Sequence, residues 1–151
     1  MTINAVVAFL HFVAAFGVVS TLFLQWLTFN RQLTVVEARR IQRADMIYGI
    51  TAGLVIIFGL LRVFYFEKGS EYYFSSTFFY IKVFLFLFVG LLSVYPTIRF
   101  LKWRTNTNLG KAPEIDAQEF KSIALILNLE MVGVIGVIFT ASMMAKGMIV
   151  L

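Results

Sequence analysis

The chain has 151 residues, of which 60% are hydrophobic and only 14% are charged, and its formal net charge is +5. Soluble domains are closer to half apolar and a quarter charged, so a soluble fold of this size could not bury so much apolar surface. The chain has no cysteine, which excludes disulfides, thiolate metal sites and cysteine nucleophiles. The composition therefore predicts an integral membrane protein, and the length predicts one domain over residues 1–151.

The first apolar run extends from Ile3 to about Leu27, with His11 and Gln25 as its main polar interruptions. A secretory signal peptide would have a basic segment before a shorter apolar core. Here no Lys or Arg precedes the run, and about 20 apolar residues are enough to cross the hydrocarbon. The run therefore predicts a retained transmembrane helix.

Three further apolar runs follow, at about residues 44–66, 78–101 and 120–145. Arg62 lies near the end of the second run, Lys82 near the start of the third, and Glu130 inside the fourth. Open strand edges are excluded in lipid, and the runs lack the alternation of barrel strands. The sequence thus predicts an all-α fold, an integral membrane four-helix bundle.

Positive charge is distributed unevenly among the connections. Of the thirteen Lys and Arg residues, nine lie in or beside residues 30–43 and 102–118, counting Arg99 and Lys121. Lys68 and Lys146 lie on the other side. Because cytoplasmic loops collect Lys and Arg, both termini are expected on the outer, periplasmic side of a bacterial inner membrane. The basic loops indicate topology and contact with anionic lipid, and not nucleic-acid binding.

Pairs of glycines at short spacing predict where helices approach closely. Gly49 and Gly53 form a G-xxx-G pair in the second run, and Gly133 and Gly136 lie in the fourth. Small residues allow helix backbones to approach in lipid. Both pairs are therefore expected at helix–helix contacts.

Four ionisable side chains lie inside the predicted spans, namely His11, Arg62, Lys82 and Glu130. Each such Arg, Lys or Asp costs about 2.5–3.5 kcal/mol at the centre of a span, so these residues are expected to face the bundle interior or a polar cavity. At ~1.5 Å per residue, His11 is ~12 Å deep and Arg62 and Lys82 are ~6 Å deep from the outer side. The three form one cluster if they face inward, although Arg62 and Lys82 could instead snorkel to the interface.

Glu130 lies on the opposite side of the predicted bilayer, near its midplane. It is expected to be protonated, or to be paired with a helix hydroxyl or with Asn128. A proton-relay role is a weaker alternative.

The chemistry of the outer three residues suits a flat acid. A neutral imidazole is a common haem ligand, and Arg and Lys bind carboxylates, so the trio matches a porphyrin with two propionates. Another flat acid or a quinone head group remains an alternative. With one histidine in the chain, a second axial ligand would have to be another group, and Met143 or Met144 is geometrically conceivable. Met143, Met144 and Met148 also suggest copper, because thioethers suit Cu(I), although Met is equally an apolar filler.

Several stretches carry a resemblance to a known family: RADMIYG at residues 43–49, GLLRVF at 59–64 with Lys68 and Gly69, FYIK at 79–82, and residues 90–100. They resemble a bacterial family of inner-membrane proteins catalogued as domain of unknown function 2214, over nearly the whole chain. That family is similar to the HemJ and CopD group of four-helix membrane proteins. HemJ is a haem-dependent protoporphyrinogen oxidase with an essential His in its first helix and an essential Lys in its third. His11 and Lys82 match those positions, whereas Arg62 is a feature of the nearer family.

Three functions remain open from the sequence. In the first, the protein binds haem b or a porphyrin through His11, Lys82 and Arg62, with Lys82 and Arg62 as catalytic candidates and a quinone as electron acceptor. In the second, it is a CopD-like copper-handling or small-solute transport component, where a homo-oligomer would supply the pore. In the third, it is a structural or assembly protein without chemistry, and the polar trio is interhelical glue.

Overall fold

The fold was taken from a computed structural model that describes residues 2–66 and 69–146. In chain order the helices are α1 (Ile3–Thr28), α2 (Val35–Leu61) with a π-helical turn at Arg62–Phe66, α3 (Ser70–Phe74), α4 (Thr77–Lys102), α5 (Arg104–Asn108) and α6 (Ala117–Ala145). Over those two ranges there are no strands. Four helical segments are long and apolar enough to cross a membrane: α1, α2 with its π turn, α4 with α5, and α6. The predicted all-α architecture with four spanning helices is confirmed.

The second helix begins at Val35, well before the apolar run that predicted its start near residue 44. Thr34 and Glu37 form a capping box, in which the Glu37 N–H donates to Thr34 Oγ1 at 3.3 Å and the Thr34 N–H donates to the Glu37 carboxylate at 2.8 Å. The residues that follow are amphipathic, with Ala38 and Ile41 buried and Arg39 exposed. An apolar window misses such a turn because only one face of it is apolar.

Two short helices occupy connections that the sequence predicted as loops. The helix α3 lies between α2 and α4, and α5 follows α4 directly after Trp103. At the start of α6, the Asp116 carboxylate accepts hydrogen bonds from the backbone N–H groups of Glu119 and Gln118, each at 2.8 Å. These bonds hold the pKa of Asp116 below its ordinary value, since they favour the ionised carboxylate.

The four long helices form a ring. Most contacts pair α1 with α2 and α4 with α6, and contacts of α1 with α6 and of α2 with α4 close the ring. This arrangement makes α1 and α4 diagonal partners. We call the end where α1 begins and α6 ends the terminal end, and the end that carries the connections 29–34 and 103–116 the basic end.

A cluster of aromatic side chains lies in the core at the basic end. The Phe29 ring stacks on Phe120 with centroids 5.4 Å apart and on Trp103 with centroids 6.3 Å apart. Phe100 packs against Trp103 at 4.8 Å between centroids. These aromatic contacts therefore hold the connection between α1 and α2 against the connection between α4 and α6.

The predicted glycine contacts are confirmed on α6 and wrong on α2. A Cβ added to Gly133 would collide with the Val89 side chain of α4, and one added to Gly136 would lie 3.1 Å from Leu85. A Cβ at Gly49 or Gly53 would meet nothing within 4 Å, so this pair packs against no other helix among the residues described. The close approach of α1 and α2 occurs instead at Gly17, where a Cβ would lie 2.6 Å from Thr51 Cγ2.

Candidate functional site

His11 lies on the inward face of α1. The buried residues of that helix are Val7, Ala14, Val18, Leu22 and Gln25. His11 follows Val7 by four positions and precedes Ala14 by three, so it belongs to the same helical stripe. The edge of its imidazole that carries Nδ1 and Cε1 faces Gly59 of α2, where an added Cβ would lie 3.4 Å from Cε1. The missing side chain at Gly59 thus provides room for the imidazole at the α1–α2 interface.

Arg62 lies at the end of α2, near the level of this histidine. It follows Gly59 by about one helical turn, at the first residue of the π-helical turn. Its guanidinium carbon lies 5.2 Å from the ring centroid of Phe12, the residue next to His11. His11 and Arg62 therefore lie on neighbouring helices about one turn apart in level, and the cation–π contact of Arg62 is with Phe12.

Lys82 lies at a similar depth but on another helix. Its Nζ is 5.4 Å from the ring centroid of Phe79, one turn earlier on α4. Tyr48 of α2 interacts with Ser93 of α4, which fixes the relative level of the two helices. At ~1.5 Å per residue, Arg62 lies ~21 Å from Tyr48 toward the terminal end, and Lys82 lies ~17 Å from Ser93 in the same direction. Lys82 thus shares the level of Arg62, but its helix is adjacent to α2 and diagonal to α1.

The methionines considered as metal ligands lie at the end of α6. Met143 and Met144 are half-buried, and the Tyr72 hydroxyl donates a hydrogen bond to the Met144 carbonyl at 3.2 Å. Met148 lies outside the described residues, as does Lys68. Within residues 2–66 and 69–146, no group of three or more His, Cys, Asp or Glu side chains is placed to hold a metal ion.

A second set of polar groups lies between α2 and α4, nearer the basic end. Thr97 Oγ1 donates a hydrogen bond to Asp45 Oδ1 at 2.9 Å, and Tyr48 interacts with Ser93. Asp45 and Tyr48 are buried at 8% and 6% exposure. Together with Glu130, which faces them from α6, we call these residues the interior polar cluster.

Glu130 is almost completely buried, at 1% exposure. It lies on the inward stripe of α6 between Leu127 and Val134, which are also buried. Its carboxyl interacts electrostatically with Asp45 and with Tyr48. All three groups therefore lie within electrostatic range of one another inside the bundle, although α2 and α6 are diagonal to each other.

The expected pairing of Glu130 with Asn128 is wrong. The Asn128 side chain is exposed, and its amide oxygen accepts a hydrogen bond from Trp26 Nε1 of α1 at 2.8 Å. Its amide nitrogen donates to the Ala124 carbonyl at 2.9 Å. Two positions along a helix differ by about 200°, so Asn128 and Glu130 point to different sides of α6.

Sequence reasoning identified Glu130 but missed Asp45 as a site residue. The signal was present, because Asp45 follows Ile41 by four positions and precedes Tyr48 by three, and both of those are buried. Such spacing places Asp45 on the inward stripe of α2. The acid was overlooked because it lies at the edge of the predicted apolar run, where a charged residue is ordinary.

Comparison with known proteins gives one result. A family described as "Predicted membrane protein (DUF2214)" matches residues 3–149. No curated protein and no solved structure matches the chain. The four spanning helices agree with the description of that family. Since the match covers nearly the whole sequence, the chain belongs to this family of membrane proteins.

Proposed function

We propose that this membrane protein is redox-active and binds haem b or another porphyrin at the terminal end of the bundle. His11 would bind the haem iron, and Arg62 and Lys82 would hold the propionates. The observation that carries the proposal is the position of His11 on the inward stripe of α1, with its imidazole against Gly59 and the Arg62 guanidinium over the neighbouring Phe12.

The residues at this end suit such a group by their chemistry. Imidazole is a common axial ligand of haem iron, and apolar surroundings favour its neutral, ligating form. Arg binds carboxylates in a fork, and Lys binds them as a point charge. Arg62 lies about one turn nearer the membrane surface than His11, and Lys82 lies about level with His11. At this level the carboxylates of a porphyrin would be close to water.

A bound haem would supply one-electron transfer. The resemblance to HemJ suggests protoporphyrinogen oxidation with electrons passed to a quinone, and in that case Lys82 and Arg62 would orient the substrate through its carboxylates. Arg62 and Lys82 lie near the terminal end of α2 and α4, which are neighbouring helices in the bundle. No observation on the described residues specifically favours copper handling or a purely structural role over this function.

The test is an absorption spectrum of the detergent-purified protein, oxidised and dithionite-reduced, before and after haem addition. We expect a Soret band with sharpened bands on reduction, and we expect His11→Ala to lose it. Arg62→Gln should retain the ligation spectrum but weaken haem binding about tenfold, the effect of ~1.4 kcal/mol. Gln25→Ala, a change at a buried polar position of the same helix, is the matched control and should keep the band.

A wild-type protein without a Soret band after haem addition would contradict the proposal. So would a His11→Ala variant that keeps the unaltered spectrum. Size-exclusion elution and far-ultraviolet circular dichroism of His11→Ala show whether a lost band reflects lost ligation or lost folding.

We further propose that the basic end faces the cytoplasm of a bacterial inner membrane. The support is the excess of Lys and Arg in the two connections at that end. The chain has no cysteine, so single cysteines report on sidedness without background. In intact spheroplasts, Ser75→Cys should react with a membrane-impermeant maleimide, whereas Asn108→Cys should react only after permeabilisation. The reverse pattern would overturn this orientation.

A further inference from the structure

Two carboxyl groups lie inside the bundle where no structural role explains them. Glu130 is at 1% exposure, and its Oε1 has no hydrogen-bond partner among the described residues. Asp45, at 8% exposure, accepts a hydrogen bond from Thr97 but gives Glu130 a neighbour of its own sign. A purely structural position on this stripe would be filled at lower cost by an apolar residue.

Among residues 2–66 and 69–146, no cation acts on the Glu130 carboxyl. The groups that act on it or are acted on by it are Asp45 and Tyr48, both on α2. The neighbouring helix α1 carries His11 as its one histidine and no Asp, Glu, Lys or Arg, and His11 lies toward the terminal end. Arg104 of α5 acts on Asp45 and is exposed. On α4, the polar side chains at this level are Ser93 and Thr97, which are neutral.

An isolated carboxylate in such surroundings would be very costly, and two neighbouring carboxyls cannot both ionise without repulsion. A proton on Glu130 removes its charge and the repulsion, while Asp45 keeps its hydrogen bond from Thr97. It also supplies the donor that a carboxylate lacks, since a protonated carboxyl has an O–H group. Two neighbouring buried acids are therefore suited to bind a proton.

Polar side chains recur along α2 toward the basic end, each turned by about 60° from the next around the helix. Arg39, Gln42, Asp45 and Tyr48 follow one another at intervals of three residues. Gln42 Nε2 donates to the Phe100 carbonyl at 2.9 Å, and Thr107 Oγ1 donates to Gln42 Oε1 at 3.3 Å. Arg39 donates to the Thr107 carbonyl at 2.6 Å and is itself exposed. Hydrogen-bonding groups thus lie between the buried acids and the surface at this end.

We infer that Asp45 and Glu130 form a membrane-embedded proton-binding site that holds one proton and exchanges it with the basic end of the bundle. In the exchange, water at that end gives a proton to the carboxylate of the pair, which becomes a neutral carboxylic acid, and the reverse step returns it. No electrons are transferred. The inference does not depend on a bound porphyrin, because Asp45 lies ~21 Å along α2 from Gly59, the residue that His11 faces.

The test uses the wild-type chain without added cofactor, reconstituted in phosphatidylcholine nanodiscs. Infrared spectroscopy should show the C=O stretch of a protonated carboxylic acid at neutral pH, with a shift in heavy water and a loss at high pH. Glu130→Gln, which is neutral and of similar shape, should remove the band. Glu71→Gln, a change at an exposed acid outside the spans, should leave it intact.

Asp45→Asn gives a second, independent measurement. It removes the negative neighbour, so the band of Glu130 should be lost at a lower pH than in the wild type. Absence of the band at neutral pH in the wild type would overturn the inference, and so would its persistence in Glu130→Gln. Displacement of the band by sodium at constant pH would assign the oxygens to a metal cation and would also overturn it.

Discussion

Gly133→Ala is expected to destabilise the bundle by about 1–3 kcal/mol, the usual cost of overpacking a core. A Cβ at this position collides with Val89, which is itself buried at 3% exposure on α4. Because α4 and α6 form one of the two closest helix pairs, neither backbone can retreat without opening that interface. Equilibrium unfolding in mixed dodecylmaltoside and SDS micelles measures the change.

A double variant separates this collision from other effects of the new methyl group. Val89→Ala alone should lose stability through the space it leaves. Combined with Gly133→Ala, it should cost less than the sum of the two single changes by at least about 1 kcal/mol. Gly53→Ala is the matched control, since a Cβ there meets nothing within 4 Å. It should be neutral or stabilise by about 0.5–1 kcal/mol. Additive single changes would contradict the packing at Gly133.

Glu119→Ala is expected to cost about 2–4 kcal/mol, measured in the same unfolding experiment. Glu119 is buried at the start of α6, where it accepts hydrogen bonds from Arg99 at 2.7 Å and from Trp103 Nε1 at 3.1 Å. Its removal leaves a cation and an indole N–H without their acceptor. Breaking a fully buried pair costs about 3–5 kcal/mol. The expected loss is smaller because the Arg99 side chain is 28% exposed.

Two further variants give this prediction its control. Glu119→Gln keeps an oxygen that can accept from Trp103 and should lose less than Glu119→Ala. Glu114→Ala removes an exposed carboxylate from the same connection, and it should change stability by no more than about 0.5 kcal/mol. Equal losses for Glu114→Ala and Glu119→Ala would show that the effect comes from net charge and not from the buried contacts.

The two polar regions differ in how far the sequence alone predicts them. His11, Arg62 and Lys82 were identified from their depth in apolar runs, because an ionisable residue within a span is costly and therefore conspicuous. Asp45 was not identified, because a carboxyl near the end of an apolar run has no such cost unless its helix turns it inward. The electrostatic interaction of Asp45 with Glu130 joins diagonal helices, and no local pattern in either helix specifies the other.

The sequence by itself determined that the chain is a membrane protein with four spanning helices, since about 20 apolar residues must fold as a helix in lipid. It also predicted the depth of each ionisable residue, because the rise per residue of a helix is fixed. Only the tertiary structure decided which helices are neighbours, that Gly133 and not Gly49 or Gly53 lies at a helix contact, and that α2 begins at Val35. The physical reason is that lipid is as apolar as the helix surfaces, so hydropathy fixes the position along the membrane normal. Rotation and partner choice depend on side-chain fit between helices.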